Sequence, residues 1–323
     1  MKSAHLRAGQ KFTATLIIQE SLNLTTNASC SEPYSCVQDH RISIVKTKSS
    51  KSMKDSNLRF MMIEIVKQIE FSLFEISIQE DHEENMEHSN QSIYILKFSR
   101  DVEREFKCFK HMYSYYRYEY IPQYFIIENN ASLSKWKAIA TRKSYSPLNF
   151  DSITLSQQLN ARVMAKRVFE IVKAMHDCHL IHNDIKPDNF IIDSQDGKLK
   201  IIDFDMSYIS VDESMSPSIF CGDKLYRSPN KMTHSTTNDE TWMQNQIQSD
   251  LYSCGLVMAL FVLGPQIQDS LKQTRDKHHV LHQQVSKLLC QKDNPQRNND
   301  KQPISTDCSD DLFHTITSLL QAE

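Results

Sequence analysis

The sequence predicts an α+β protein in which a small lobe built on an antiparallel sheet precedes a larger, mostly helical lobe. Short runs rich in β-branched and aromatic residues are concentrated between residues 61 and 141. Longer segments with apolar residues at helical spacing follow from residue 159 onward. A chain of 323 residues can bury a sizeable core, and this length suits one two-lobed domain plus an extension.

We expect residues 1–58 to form a largely flexible N-terminal extension. This segment is rich in Ser, Thr, Lys and Asn, and its one short apolar run, at residues 16–18, allows for a single strand. The ordered domain is expected over residues 59–323, with the small lobe over residues 59–143 and the large lobe over residues 144–323.

Five strands and one helix are predicted in the small lobe. The helix begins near Asp101, a suitable N-cap, and places Phe106, Phe109 and Met112 at helical spacing. The acidic, polar segment 80–91 lacks apolar periodicity and is predicted to be a loop. The predicted strands are residues 61–69, 71–78, 93–97, 120–127 and 136–141.

The large lobe is predicted to begin with an amphipathic helix over residues 159–179. A hairpin follows, in which residues 190–192 and 199–202 flank a Ser-Gln-Asp-Gly turn. A very apolar helix over residues 251–263 and an amphipathic helix over residues 312–320 complete the prediction.

Composition restricts the partners and the compartment. A net charge of −3 gives no general attraction to nucleic acid or to anionic membranes, and no apolar run reaches transmembrane length. The eight cysteines include no CxxC pair, which favours reduced thiols over a disulfide framework. We therefore expect a monomeric intracellular protein, cytoplasmic or nuclear, with neither a nucleic acid nor a membrane as its partner.

The segment 182–189, which reads H-N-D-I-K-P-D-N, carries the chemistry that phosphoryl transfer needs. Asp184 can accept the proton of an attacking hydroxyl, and Lys186 can neutralise charge on the transferred group. Asn189 and Asp203 supply oxygen ligands that can hold magnesium against phosphates. These residue types at these spacings predict a phosphotransferase site in which positioning and charge stabilisation carry the rate.

These motifs resemble those of the eukaryotic protein kinase superfamily. The family's H-R-D-x-K-x-x-N reads here as H-N-D-I-K-P-D-N, and its D-F-G reads D-F-D at residues 203–205. Lys186 is the signature of the serine/threonine type. Over roughly residues 60–323, the resemblance implies a bilobal kinase fold, the cofactors ATP and Mg²⁺, and a protein substrate phosphorylated on Ser or Thr.

Within the superfamily, four segments are similar to casein kinase I. They are K-P-D-N-F from Lys186, E-F-K-C-F-K-H-M from Glu105, S-P-N from Ser228, and S-D-L-Y-S-C-G from Ser249. The arginine that precedes S-I-N in that family is Leu225 here, which argues against recognition of substrates that are already phosphorylated.

The resemblance implies a role for each matched residue. Lys97 is implied to reach the α- and β-phosphates and to pair with Glu105, although Glu103 is a rival partner and Lys46 a rival lysine. Asp250 is implied to anchor the catalytic loop, residues 182–189, and residues 141–144 are implied to receive adenine through backbone groups. The implied nucleotide-binding set is Lys97, Glu105, Ile69, Ile76, Thr141, Arg142 and Ser144.

The largest departure from the family lies at its glycine-rich loop. The place of G-x-G-x-x-G is taken by residues 70–75, E-F-S-L-F-E, so that Glu70 and Glu75 bring carboxylates towards the phosphates. Asp205 also replaces the glycine of D-F-G. These departures leave a second hypothesis open, a pseudokinase scaffold with weak or no catalysis. The outward or inward direction of Glu70 and Glu75 discriminates between the two.

Overall fold

In the computed structural model the chain divides into two compact units, Met1–Ser144 and Tyr145–Glu323. This division lies one residue from the lobe boundary expected from the sequence. The structure describes residues 11–19, 39–44, 58–70, 72–80, 92–129, 136–143, 145–147, 155–193, 196–212, 214–215, 222–228, 239–264, 267, 283–285, 287–289 and 311–321.

The first unit is built on a closed barrel with the strand order β1-β2-β6-β7-β5-β4-β3. The five strands from β3 to β7 are the antiparallel sheet predicted from the sequence, and all neighbours among them pair antiparallel. The strands are β1 Lys11–Gln19, β2 Asp39–Ile44, β3 Leu58–Glu70, β4 Leu73–Glu80, β5 Ser92–Lys97, β6 Tyr124–Asn129 and β7 Trp136–Arg142.

The N-terminal segment contains more regular structure than the single strand that the sequence allowed for. It contributes two strands: β1 pairs antiparallel with β2 and β3, and β2 pairs parallel with β6. These pairings close the sheet, because β3 and β6 would otherwise be its two edges, and an edge strand exposes unpaired backbone N–H and C=O groups. The predicted boundary at residue 58 thus falls at the start of β3, inside the barrel.

Alternation along β4 and β5 separates the two faces of the barrel wall. Phe74, Ile76 and Ile78 of β4 and Leu96 of β5 are buried in the hydrophobic core of the barrel. Successive side chains of a strand point to opposite faces, so the residues between them lie on the outer face, as does Lys97.

Helix α1 (Val102–Tyr116) packs on β6 and β7. Its N-terminus is capped as the sequence predicts, because the Arg104 N–H donates to the carboxylate of Asp101 at 3.1 Å. Phe106 and Phe109 lie against the ring of Tyr124 on β6, with centroids 5.5 and 4.7 Å away.

The second unit is mostly helical. Helix α2 packs on α3, and α3 packs on α4. Two small sheets have the strand orders β11-β10-β8 and β12-β9. Strand β8 precedes α2, and the other four strands lie between α2 and α3 in the sequence. The two units confirm the predicted α+β architecture, in which a unit built on an antiparallel sheet precedes a mostly helical one. The elements are β8 Tyr145–Pro147, α2 Leu155–Asp177, β9 Leu180–Ile181, β10 Phe190–Ile192, β11 Leu199–Ile201, β12 Tyr208–Ile209, α3 Asp239–Leu263 and α4 Asp311–Gln321.

Helix α3 is the centre of the second unit. The sequence expectation that no apolar run reaches transmembrane length is corrected here, because Trp242–Leu263 is long and apolar enough to cross a membrane. However, 78% of the window that meets this test is buried inside the protein, which is typical of a core helix. Gly255 allows α4 to lie close, because a Cβ atom there would be 3.0 Å from the Cβ of Leu319.

Candidate active site

The loop after β9 is fixed by a buried carboxylate of α3. Oδ2 of Asp250 accepts the N–H of His182 at 2.8 Å, and Oδ1 accepts the N–H of Asn183 at 2.9 Å. Asp250 is 1% exposed, so this pair of charge-assisted hydrogen bonds is shielded from water. The predicted role of Asp250 as the anchor of the catalytic loop is confirmed.

His182 links the catalytic loop to the strand that precedes Asp203. Its Nε2 lies 3.2 Å from the carbonyl oxygen of Ile202, and its Nδ1 lies 3.3 Å from the N–H of Asp184. Complete burial lowers the pKa of His182, against the opposing charges of nearby Asp250, Asp184 and Asp203. The ring is therefore neutral, with Nε2 donating and Nδ1 accepting.

The carboxylate of Asp184 is held on both oxygens. Oδ2 lies 2.8 Å from Nζ of Lys186 and accepts Nδ2 of Asn189 at 3.2 Å, while Oδ1 accepts the N–H of Asp223 at 2.8 Å. Burial acts to lower the pKa of Lys186, but the hydrogen bond to Asp184 and the charges of Asp184, Asp203 and Asp223 raise it. Lys186 is thus a fixed cation beside the candidate base.

Asn189 and Asp203 suit a magnesium ion. The N–H of Ile202 donates to the carbonyl oxygen of Asn189 at 2.9 Å, which places Asp203 beside it in the next segment. The side-chain amide of Asn189 donates to the backbone and carboxylate oxygens of Asp184, so its own Oδ1 is the group left for a metal. An amide oxygen and a carboxylate are the hard ligands that Mg²⁺ takes.

Two residues of this region have left-handed backbone. Asn183 and Asp203 have φ of 67° and 69°, a region that Asn and Asp enter more readily than most residues. Asp205 does not have a positive φ. The left-handed conformation that a glycine would permit at the third position of D-F-G therefore occurs at the first position, Asp203. Phe204 is completely buried, with its ring 5.2 Å from that of His182, as predicted for a core residue.

In the first unit, Lys97 forms the predicted ion pair. Its Nζ lies 3.1 Å from both carboxylate oxygens of Glu105 on α1. Glu103, the rival partner, instead contacts Lys137. The rival lysine, Lys46, lies outside the described residues.

The predicted nucleotide-binding role of Ile76 is corrected. Ile76 is completely buried in the core of the barrel, on the face opposite to Lys97. The β4 residue on the same face as Lys97 is Glu75, since Leu73 pairs with Lys97 and Glu75 with Ile95. A shift of one residue along a strand exchanges the two faces.

The two carboxylates of the predicted phosphate loop have different surroundings. Glu70 is exposed at the end of β3, next to Ile69, which is 41% exposed. Glu75 is buried and pairs with Lys143, with 2.8 Å between Oε2 and Nζ. The Glu75 carboxylate is therefore neither freely exposed to solvent nor an unpaired charge directed towards a ligand.

The segment expected to receive adenine directs its backbone donors elsewhere. The N–H of Arg142 donates to the carbonyl oxygen of Gln123 at 2.9 Å, and the N–H of Lys143 donates to that of Ile93 at 3.0 Å. Thr141 is part of β7, and Ser144 lies outside the described residues. The two N–H groups described after Thr141 are therefore not available for adenine in this conformation.

Three features of these sites were not predicted from the sequence: the ion pair of the Lys143 side chain, and the positions of Gly222 and Asp223. Gly222 had a signal, because the chain has only five glycines and this one follows the D-F-D motif by 17 residues. Lys143 and Asp223 have no local signal, since their partners Glu75 and Asp184 are 68 and 39 residues away.

Comparison with known proteins agrees with this geometry. Residues 124–323 match the family model of the protein kinase domain. Over 118 residues the chain is 28% identical to CBL-interacting serine/threonine-protein kinase 8 of Arabidopsis thaliana, covering 36% of this chain and 25% of that protein. It is 31% identical to Aurora/IPL1-related protein kinase 2 of Caenorhabditis elegans over 118 residues, 36% of this chain and 35% of that protein.

A third relative is NUAK family SNF1-like kinase 2 of Homo sapiens, 29% identical over 140 residues, which are 42% of this chain and 20% of that protein. The chain thus matches between a fifth and about a third of the length of these relatives. The family match covers well over half of the chain and includes Asp184, Lys186, Asn189 and Asp203. The chain belongs to the protein kinase domain family.

Proposed function

We propose that this protein transfers the γ-phosphate of ATP, in the presence of Mg²⁺, to a serine or threonine hydroxyl of a protein. The observation that carries the proposal is the geometry of Asp184. Its carboxylate lies 2.8 Å from the Lys186 ammonium and is oriented by Asn189 and by a backbone N–H. A base held in this way can orient an acceptor hydroxyl and take its proton as the bond to phosphorus forms.

The residues present also fit the cofactors. Asn189 and Asp203 would hold the metal, and Lys97, kept in place by Glu105, would contact phosphate oxygens. The bound metal nucleotide would supply the phosphoryl group and neutralise the charge on it. Lys186 supports the same chemistry, because its raised pKa keeps it cationic throughout the neutral range.

The finer assignments rest on the sequence. The casein kinase I pattern and the serine/threonine type are supported by the motifs around Lys186 and Ser249. The expected partner is a protein substrate rather than nucleic acid or membrane, and the expected form is an intracellular monomer, cytoplasmic or nuclear.

A second candidate function is a pseudokinase scaffold that binds proteins with weak or no catalysis. The Glu75–Lys143 ion pair and the engaged N–H groups of Arg142 and Lys143 favour it, because both belong to segments of the first unit that the resemblance assigns to nucleotide binding. A carboxylate about 5 Å from a phosphate charge repels it by roughly 3 kcal/mol at an effective dielectric constant of about 20. Lys143 offsets this repulsion at Glu75 as long as the pair remains formed.

Calorimetry with Mg·ATP separates the two functions. We expect magnesium-dependent binding by the wild type that is lost in Asp203→Asn and retained in Asp188→Asn, an exposed carboxylate of the same loop that serves as the matched control. Protein phosphorylation should then be lost in Asp184→Asn. Absence of binding at roughly 1 mM ATP, the upper end of usual KM values, would exclude the kinase and support the scaffold.

A further inference from the structure

The strands β1 and β2 form a pair that covers both edges of the five-stranded sheet β3–β7. They pair antiparallel with each other over residues 15–19 and 39–43. β1 also pairs with residues 58–64 of β3, and β2 pairs with residues 126–129 of β6. The family match begins at residue 124, so both strands lie outside it. The first unit thus has a strand pair of its own at the two places where the sheet would otherwise end.

The attachment of β2 to β6 is weaker than that of β1 to β3. β2 runs parallel to β6 over four residues, whereas β1 runs antiparallel to β3 over seven. The other pairings described in the barrel are antiparallel as well. Parallel pairing is slightly less stable per residue, and a shorter ladder has fewer hydrogen bonds to lose. The barrel should therefore open first between β2 and β6.

The chain connection does not force β2 against β6. Ile17 of β1 pairs with Arg41 of β2 on one side and with Leu58 of β3 on the other. Arg41 and Leu58 are therefore about 10 Å apart, which is two strand spacings. Residues 45–57 join the end of β2 to the start of β3, and thirteen residues can span up to about 43 Å. Because the connection is much longer than the gap, the contacts between the strands hold β2 in place.

Strand β6 supports α1, the helix that carries Glu105. Tyr124, at the start of β6, packs against two phenylalanine rings of α1, with centroids 5.5 and 4.7 Å away. Oε1 of Glu128, near the end of β6, lies 3.2 Å from Nζ of Lys137, which also contacts Glu103 of α1. Both ends of β6 are therefore connected with α1, and a change in the pairing of β6 reaches this helix.

We propose that the β1–β2 pair is a detachable ligand that adds strands to the sheet of the first unit, and that its pairing with β6 controls the position of α1. While β2 is in place, β6 is paired on both sides, by β2 and β7, and α1 is held where Glu105 meets Lys97. When β2 leaves, β6 becomes an edge strand with unpaired N–H and C=O groups and holds α1 less firmly. The consequence for phosphate transfer rests on the proposed kinase function, in which Lys97 contacts phosphate.

The first test cuts the connection between β2 and β3 in the folded, full chain. A protease site is placed between residues 50 and 51, and the native protein is cleaved there. We expect the two pieces to coelute in size-exclusion chromatography, because the strand pairings hold them together. A fluorescently labelled copy of residues 1–50 should then replace the unlabelled piece. Separation of the pieces on cleavage, or a labelled copy that does not enter the complex, would overturn the proposal.

The second test compares Ile42→Pro with Asp39→Pro. Ile42 pairs with Leu16 of β1 and with Ile127 of β6, so a proline there disrupts a strand that is paired on both sides. Asp39 is the first residue of β2 and precedes the pairing with β6, and proline is tolerated at the first residue of a strand. In Ile42→Pro we expect the amides of β6 and α1 to exchange hydrogen about tenfold faster, the effect of losing about one ladder hydrogen bond. Asp39→Pro should exchange like the wild type.

Acetylation of Lys97 reports on the position of α1 and needs no activity. The Lys97 side chain is 24% exposed and paired with Glu105, whereas Lys107 is an exposed lysine of α1 that serves as the internal reference. The ratio of Lys97 to Lys107 labelling should rise in Ile42→Pro and stay unchanged in Asp39→Pro. An unchanged ratio in a folded Ile42→Pro protein would overturn the control of α1.

The cleaved protein repeats this measurement without any substitution. Dilution releases the N-terminal piece, and the labelling ratio should rise as the piece leaves. A constant ratio during release would overturn the control of α1, whether or not Ile42→Pro folds and even if the protein is an active kinase. A protein that passes these tests but does not bind ATP would refute the kinase function and retain the strand ligand.

Discussion

Replacing Asp250 by Ala should destabilise the second unit more than any surface substitution would. The change leaves the N–H groups of His182 and Asn183 buried without their acceptor. A hydrogen bond to a charged group contributes about 1.5–3 kcal/mol, so two of them amount to roughly 3–6 kcal/mol. Relief from burying the carboxylate offsets part of this loss, so we expect about 3 kcal/mol, a large share of a typical stability of about 5–15 kcal/mol.

Urea unfolding at constant m-value measures the loss directly. Asp177→Ala is the matched control, because this carboxylate is exposed and pairs with Lys173 along α2, a pair expected to contribute less than about 1 kcal/mol. Asp250→Asn keeps one acceptor and should fall between the two. A cost of Asp250→Ala below about 1 kcal/mol would show that the catalytic loop does not depend on this carboxylate, and the reasoning on its anchoring would be wrong.

Three further predictions concern the buried core. Burial lowers the pKa of His182, so the folded state resists protonation of this ring. The contribution of His182 to the unfolding free energy is complete above its pKa in the unfolded chain, about 6.5, and should decrease below that pH by at most about 1.4 kcal/mol per pH unit. His182→Gln should remove this slope in urea titrations between about pH 5 and 8. Gly255→Val should force α4 away from α3, because a Cβ already meets Leu319 at 3.0 Å, and lower the unfolding free energy by about 1–3 kcal/mol; an unchanged melting curve would contradict this packing. Burial raises the pKa of Cys178 to about 12, so its thiol should resist iodoacetamide at pH 8 in the folded protein and react once urea unfolds it, as mass spectrometry of the labelled peptide can follow.

The catalytic loop could be predicted from the sequence because its geometry is largely local. Asp184, Lys186 and Asn189 lie within six consecutive residues, and one short turn brings their side chains together. The Lys97–Glu105 pair was predictable for the same reason, since a strand end, a capped turn and the first turn of a helix determine its distance.

The remaining features depend on pairing between distant segments, which a single sequence does not specify. The position of Ile76 inside the barrel follows from the register of β4 against β5, and a register error of one residue exchanges it with Glu75. The pairings of β1 and β2 with β3 and β6 close the barrel across many residues of intervening chain. A local composition rich in Ser and Lys does not reveal such a pairing.

The two units differ in what they retain of the family's pattern. In the second unit, the surroundings of Asp184 keep costly features: backbone strain at Asn183 and Asp203, of the kind that costs about 1–3 kcal/mol at each position, and a buried carboxylate at Asp250. A binding scaffold needs none of these. In the first unit, the place of the family's glycine loop is taken by a segment whose Glu75 is paired with Lys143. Because this pair removes most of the repulsion that an isolated Glu75 would exert on a phosphate, we expect weakened nucleotide affinity with intact transfer chemistry rather than complete loss of catalysis.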